Sequence, residues 1–415
     1  MANRSSWLGR WLLRSIGEER IGAAPIRIVV ADQSYTPPNM TPQATLTIPD
    51  FGTLAALALD PEVAFGEAYA DGRIQIDGDL VGLLEAVYGT SAAPGDRSWY
   101  ARLASKWMTF WQSNTLSGSR HNIHRHYDLG NDFYKLWLDQ NLLYTCAYFP
   151  TPEATLEEAQ IAKMDYVCRK LRLQPGETVV EAGCGWGSLA LHMARNYGVS
   201  VKAFNVSREQ IAYARELARL ERLDHQVEFI EDDYRNISGK FDVFVAVGML
   251  EHVGLENYYE LGRVIHRAIG NTGRGFLHSL GRSSPLPLNR WIRKRIFPGG
   301  FIPSLKQAMA VLEPFNFAVQ DVENLRWHYA KTMEHWLERF ERSRRQVETM
   351  YDSRFVRTWR LYLAGSLAAF RSGTLQLFQI VFTGPKCKPI SWTRAPLYEN
   401  APNEADKPAW TTAMS

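Results

Sequence analysis

Three glycines at alternate positions, in Glu181-Ala182-Gly183-Cys184-Gly185-Trp186-Gly187, stand between a short apolar run and a helix-like one. Such a turn lets backbone approach a ligand closely, because glycine accepts φ values that side chains resist and carries no Cβ. Each glycine also costs conformational entropy, so a ligand-free turn explains three of them poorly. A pyrophosphate-bearing nucleotide would be read by a carboxylate about 20 positions further on. The next apolar run ends instead in Asn205-Val206-Ser207, which points away from a nicotinamide cofactor. Two side chains downstream could handle protons. Glu251 follows the apolar run 241–247, at the carboxyl end of a strand where open α/β sheets bind ligands. His278 lies inside the run 275–280, a place where a lone histidine is ordinarily structural.

These residues need a scaffold of alternating strands and helices. Strands are expected at 178–181, 199–206, 227–230, 241–247 and 275–280, with helices at 188–197 and 207–220 between them, the pattern of parallel βαβ units. Ser207 and Gln210 form a Ser-x-x-Gln capping box at the second helix. After Gly281 the alternation stops and a long amphipathic helical stretch, about 285–370, is expected as an insertion before a closing strand at 375–382. The first 92 residues read as a small α+β domain, with strands at 26–31 and 44–48 and a helix at 79–88. The turn-rich 91–97 ends it, and a linker with an aromatic helix face (Trp99, Tyr100, Trp107, Phe110, Trp111) runs to 120. The catalytic domain is expected over 121–390, followed by a tail to 415.

The chain has 415 residues, 46% apolar and 22% charged, the balance of a protein that folds in water. No run approaches the ~18 apolar residues of a membrane span, and the N-terminus does not resemble a secretory signal, so a cytoplasmic location is expected. Cys146, Cys168, Cys184 and Cys387 show no CxxC pairing, which argues against a disulfide frame and a metal site. The net charge of +3 gives no reason to expect nucleic-acid binding.

The Glu-x-Gly-x-Gly-x-Gly form resembles the first motif of class I S-adenosylmethionine (SAM)-dependent methyltransferases. Together with His126-Tyr127-Asp128-Leu129-Gly130-Asn131-Asp132-Phe133-Tyr134, Tyr144-Thr145-Cys146-Ala147-Tyr148-Phe149, Asp233-Tyr234-Arg235, Gly248-Met249-Leu250-Glu251-His252-Val253-Gly254 and Ile296-Phe297-Pro298-Gly299-Gly300, it resembles the cyclopropane-fatty-acyl-phospholipid synthases and mycolic acid cyclopropane synthases. The likeness runs from about 120 to 383, and Phe65-Gly66-Glu67-Ala68-Tyr69-Ala70-Asp71-Gly72 extends it more weakly into the N-terminal domain. It implies a Rossmann-like α/β fold. It also implies a SAM site built from Tyr144, Thr145, Glu181, Gly183, Cys184, Gly185, Gly187, Asn205, Val206, Gln210, Asp233 and Tyr234. Asn205 stands where the family usually has threonine, and Ser366 where it has a cysteine sometimes treated as catalytic.

The implied reaction adds the sulfonium methyl to a cis double bond, for which alignment and exclusion of water matter more than a nucleophile. A thiolate at Cys146 is therefore not expected to act as one. A carbocation then remains, and closing a cyclopropane ring requires a base. The resemblance implies a bound bicarbonate ion held by Cys146, Glu251, His278, Leu280 and Tyr329, with Cys146 and Leu280 acting through backbone groups. Loss of a different proton, or reduction, would give a methylene or methyl-branched product. A methyltransferase for a small polar metabolite and a non-catalytic lipid-binding protein are further alternatives. Unsaturated phospholipid acyl chains are the expected substrate, and a homodimer is expected. Arg290-Trp291-Ile292-Arg293-Lys294-Arg295-Ile296-Phe297 mixes cations with aromatics, which suits an anionic inner-membrane surface as well as an ordinary helix.

Overall fold

The computed structural model describes residues 25–31, 33–38, 40–89, 129–388 and 392–397. The boundary at 91–97, the linker with its aromatic face, His126-Tyr127-Asp128 and most of the tail lie outside the described residues.

A seven-stranded sheet runs in the order β10-β11-β9-β8-β5-β6-β7. Its parallel part comprises β5 (Thr178–Ala182), β6 (Ser200–Asn205), β7 (Val227–Glu231), β8 (Val243–Val247) and β9 (Arg274–Gly281). β8, Val-Phe-Val-Ala-Val, is buried at every position, as a central parallel strand covered on both faces must be. β11 (Gln376–Thr383) closes the sheet antiparallel to β9, and β10 (Ala318–Asn324) is its edge. The expected insertion therefore needs correction, since 285–370 contains a strand as well as helices. β10 reads Ala-Val-Gln-Asp-Val-Glu-Asn with no fully buried position, so its sequence lacks the apolar run that marks the other strands.

The chain leaves β5 toward β6 on one side and returns to β8 on the other. Ligands bind at this switch point, outside the carboxyl ends of the strands, and both the glycine turn and Glu251 lie there. Helices α1 (Leu156–Leu171), α2 (Ser188–Tyr197), α3 (Arg208–Leu220) and α4 (Tyr258–Ile269) flank the sheet, with separate apolar cores on its two faces. Thr155 opens α1 through a capping box with Glu158.

In the N-terminal region β1 (Ile26–Val30), β2 (Gln33–Tyr35), β3 (Ala44–Ile48) and β4 (Gln75–Gly78) form a smaller sheet in the order β2-β1-β3-β4, which carries three helices. One of these, Pro61–Ala70, packs on the segments 290–295 and 353–371. The ring of Trp291 fills the space beside Gly66, where a Cβ would lie 2.4 Å from it. Glu67 accepts hydrogen bonds from Arg295 (2.8 and 2.7 Å) and Arg354 (2.8 Å) and pairs with Lys294 at 3.2 Å. Arg290 binds Asp60 at 2.8 Å. Within 290–297, Trp291 and Ile296 are buried, and Arg290, Lys294 and Arg295 pair with acidic side chains of the N-terminal region.

This arrangement makes stability sensitive to acid. The Arg295 guanidinium, with Lys294, holds the Glu67 carboxyl down from 4.5 to about 2. A depressed carboxylate contributes stability above its unfolded pKa and loses it as pH falls through the folded one. Glu67→Gln should cost about 2 kcal/mol at neutral pH. The melting-temperature gap from wild type should shrink between pH 4.5 and about 2; a gap unchanged across that window would show that the carboxylate charge is not what joins these elements.

Candidate active site

Two adjoining cavities open at the switch point. The smaller, about 120 Å³, is lined by Tyr144, Thr145, Glu181, Gly183, Cys184, Gly185, Asn205 and Gln210 among others. The larger, about 570 Å³, holds Glu251, His278, Leu280 and Tyr329 in a wall that is otherwise largely apolar. Tyr144, Thr145, Gly248 and His252 line both. A ligand seated on the glycine turn is thus in reach of one held in the larger chamber.

The glycine turn is built by division of labour. Gly183 (φ +84°), Gly185 (+54°) and Gly187 (+89°) all have left-handed backbone. Beside Gly185 no atom lies within 4 Å of where a Cβ would stand, so the space is open to a ligand. Gly187 lines neither cavity, and a Cβ there would come within 2.6 Å of Phe229 and 2.8 Å of Ala214. It lets α2 start close against the sheet. Asn205 donates to the Gly185 carbonyl (3.2 Å) and to Gln210 Oε1 (2.8 Å). Ser207 caps α3 by accepting from the Gln210 amide, but the Gln210 side chain turns to Asn205 and the pocket instead of completing the capping box. Asn205 in place of threonine therefore braces the turn.

Not every expected cofactor residue reaches the small cavity. Val206, Asp233 and Tyr234 line neither chamber. Asp233 is buried just beyond β7, where it accepts from the Arg235 amide and pairs with its guanidinium. The Tyr234 hydroxyl is buried without a hydrogen-bond partner among the described residues.

In the larger chamber Glu251 Oε1 accepts from the Leu280 N–H at 2.5 Å, while Oε2 is buried with no partner among the described residues. Burial pushes this carboxyl up from 4.5 to about 7, opposed by the Leu280 amide. The N–H of Leu280, a residue expected to act through its backbone groups, thus holds Glu251. His278, on β9, meets the Gln379 side-chain amide through Nδ1 at 3.2 Å, and its Nε2 is buried and unpartnered among the described residues. Burial, with the charges of Lys163 and Lys170, holds its pKa well below 6.5, so the ring is neutral. With Gln379 assigned as the donor to Nδ1, the ring proton sits on Nε2. Tyr329 stacks on Phe370, ring centroids 4.4 Å apart. Cys146 lines neither chamber; its thiol donates to the Ala147 carbonyl and packs with Leu325 and Leu377, beside Leu280 and Tyr329. Burial pushes that thiol far up, which removes any thiolate nucleophile at neutral pH.

Sequence reasoning missed several residues here. Tyr362, on the helix Ser353–Arg371, shares a hydrogen bond with Tyr144 (hydroxyl oxygens 2.6 Å apart) and lines the chamber together with Ser366. Phe65, Leu84 and Tyr88 bring the N-terminal region into the same wall. Lys163 is fully buried on α1 and lines the small cavity. A lysine set at i+3 from Gln160 and four before Val167, within an apolar stripe, was a legible signal, since lysine is almost never fully buried without purpose.

The sequence profile of the family described as mycolic acid cyclopropane synthetase matches residues 115–380, and that of a domain of unknown function matches 23–94. The chain is 32% identical to a probable fatty acid methyltransferase of Pseudomonas putida, over 90% of this chain and 96% of that protein. It is 41% identical to the cyclopropane-fatty-acyl-phospholipid synthase of Escherichia coli K12, over 62% of this chain and 66% of that enzyme. Among solved structures, the mycolic acid cyclopropane synthase CmaA1 complexed with SAH and CTAB superposes with a TM-score of 0.61 at 30% identity, covering 63% of this chain and 97% of that one. The cyclopropane synthase MmaA2 of Mycobacterium tuberculosis gives 0.60 at 28% identity, with the same coverage. No described helix is long and apolar enough to cross a membrane.

Proposed function

Because the chain belongs to the mycolic acid cyclopropane synthetase family of SAM-dependent methyltransferases, we propose that it is a cyclopropane-fatty-acyl-phospholipid synthase acting on the cis double bond of unsaturated acyl chains. The observation that carries this reading is the junction of the two chambers at Tyr144, Thr145, Gly248 and His252. A cavity of about 570 Å³ falls in the range of small-molecule sites, ~300–1,000 Å³, and its mostly apolar wall suits an acyl chain.

SAM supplies an electrophilic methyl group, and the residues present fit it: the open space at Gly185 and the orphaned Glu181 Oε2 both await a polar ligand. Gly183, Gly185, Glu181, Asn205, Gln210, Tyr144 and Thr145 would hold it, with Asp233 and Tyr234 placed beyond β7 for the adenine end. The apolar wall excludes water from the cation left on the acyl chain. Glu251 Oε2 and His278 Nε2, two buried polar atoms without partners among the described residues, fit a bicarbonate ion between them. The His278 N–H would donate to it and the Glu251 carboxylate would accept from its hydroxyl, leaving Tyr329 to close the site. Bicarbonate would supply a base at this position. Ser366 takes part only as a wall residue, in keeping with a transfer that involves no thiolate. Peripheral contact with an anionic inner-membrane surface belongs to this reading.

Lipid extracts of cells expressing the protein with methyl-labelled methionine should show acyl chains heavier by one labelled CH2, with ring hydrogens in the proton NMR spectrum. Label confined to water-soluble compounds would sink the proposal. A fatty acyl C-methyltransferase is the second reading, favoured by the relative that aligns almost end to end with this chain. It is distinguished by a methyl branch carrying two further hydrogens, or by a methylene group without ring hydrogens.

A further inference from the structure

Lys163 is an ammonium with no exposure, in a place where a charge costs several kcal/mol unless it is compensated. Its hydrogen-bond partner among the described residues is the Thr145 hydroxyl, at 3.0 Å, and no described carboxylate forms an ion pair with it. Two of its three N–H groups therefore have no acceptor among the described residues. Holding the 143–145 segment does not require it. Gln160, one turn earlier on α1, donates to the carbonyls of Leu143 (3.2 Å) and Thr145 (2.9 Å), and Asp139 accepts from the Leu143 amide (2.9 Å). In the same cavity wall stands Glu181, whose Oε2 is likewise buried without a partner among the described residues. A pocket of about 120 Å³ thus carries one orphaned cation and one orphaned carboxyl.

That pair is the electrostatic complement of an amino acid's charged end. We propose that Lys163 and Glu181 recognise the methionine end of SAM as a zwitterion, the lysine receiving its carboxylate and the glutamate its amino group. Lys163 is thereby a cofactor-binding and positioning residue: it fixes the rotation of the methionine arm about the glycine turn, and with it the direction in which the methyl faces the acyl chamber at Tyr144 and Gly248. The small cavity takes the methionine end, while the rest of the cofactor extends past Asn205. Burial lowers the lysine pKa, opposed by the charges of Asp139 and Glu181, and raises that of Glu181, opposed by Lys163, so a ligand of opposite polarity favours the charged form of each group.

The inference rests on SAM occupying the glycine turn, and the test separates the two. Isothermal calorimetry on the full-length protein compares S-adenosylhomocysteine with its decarboxylated analogue. Wild type should prefer the carboxylate-bearing ligand by roughly 10- to 100-fold, the worth of a charge-assisted hydrogen bond, and Lys163→Met should erase most of that preference. In the mirror measurement, Glu181→Gln should erase the preference for S-adenosylhomocysteine over its deaminated analogue. Equal weakening of both ligands by Lys163→Met would mean the lysine only supports Thr145 and would overturn the proposal. Wild type that binds the decarboxylated analogue as tightly as the parent would overturn it without any variant. If wild type binds neither ligand, the SAM site itself falls.

Discussion

Glu251→Gln should lower turnover by about 10²- to 10⁴-fold, the range for losing a positioned proton-handling group, while S-adenosylhomocysteine affinity stays within roughly threefold because Glu251 lines the larger chamber and not the smaller one. Glutamine keeps an oxygen that can accept from the Leu280 amide, so the local fold survives. What it loses is the anionic oxygen at Oε2. Burial places the wild-type pKa at about 7, so the carboxylate proposed to accept from a bicarbonate hydroxyl is gained as pH rises through that value. Wild-type turnover, measured at constant bicarbonate, should therefore climb through pH 7, and the variant's residual turnover should not. Retention of more than about a tenth of wild-type activity, or the same climb in the variant, would exclude Glu251 from the proton transfer.

The second large effect separates glycines that the sequence presents as equals. Gly187→Ala should destabilise the protein by about 3 kcal/mol or more, combining left-handed strain with a clash against Phe229 and Ala214. Neither neighbour can yield easily, since Phe229 is a buried residue of β7 and Ala214 a buried residue of α3. Gly185→Ala meets no atom within 4 Å and should cost only about 1 kcal/mol for its φ, but its methyl would stand in the small cavity proposed for the cofactor. Its signature is S-adenosylhomocysteine binding weakened at least tenfold, about 1.4 kcal/mol, at a nearly unchanged melting temperature. Thermal melts and calorimetry on the two variants decide the matter. Should Gly187→Ala melt like wild type while losing cofactor, the two roles are reversed.

The N-terminal region bears on both experiments. Its Phe65, Leu84 and Tyr88 complete the wall of the chamber that holds Glu251, and Glu67 ties it to the catalytic domain through Arg295 and Arg354. Glu67→Gln should therefore also serve as a control for indirect effects on turnover.

Local signals and long-range ones fare differently in this chain. The parallel strands were legible because burial on both sheet faces forces an unbroken apolar run, as in β8, and the glycine turn because its backbone cannot be built with side chains. β10 was not legible: an edge strand of Gln, Asp, Glu and Asn depends on pairing with β11, which lies more than fifty residues away in sequence. The basic stretch 290–295 was ambiguous for a related reason. Its composition is equally suited to phosphate and to carboxylate, and only the packing of Trp291 against Gly66 brings Glu67 within reach.

The sequence by itself determined the α/β order, the glycine turn, the capping of α3 and the presence of Glu251 at a strand end, because each follows from backbone and burial rules acting over a few neighbours. Tertiary structure alone decided which glycine packs and which faces open space, that Leu280 holds Glu251, and that Lys163 and Glu181 share one small cavity. Those outcomes depend on distances between residues remote in the chain, and buried polar groups find their partners only once the sheet has brought the strand ends together.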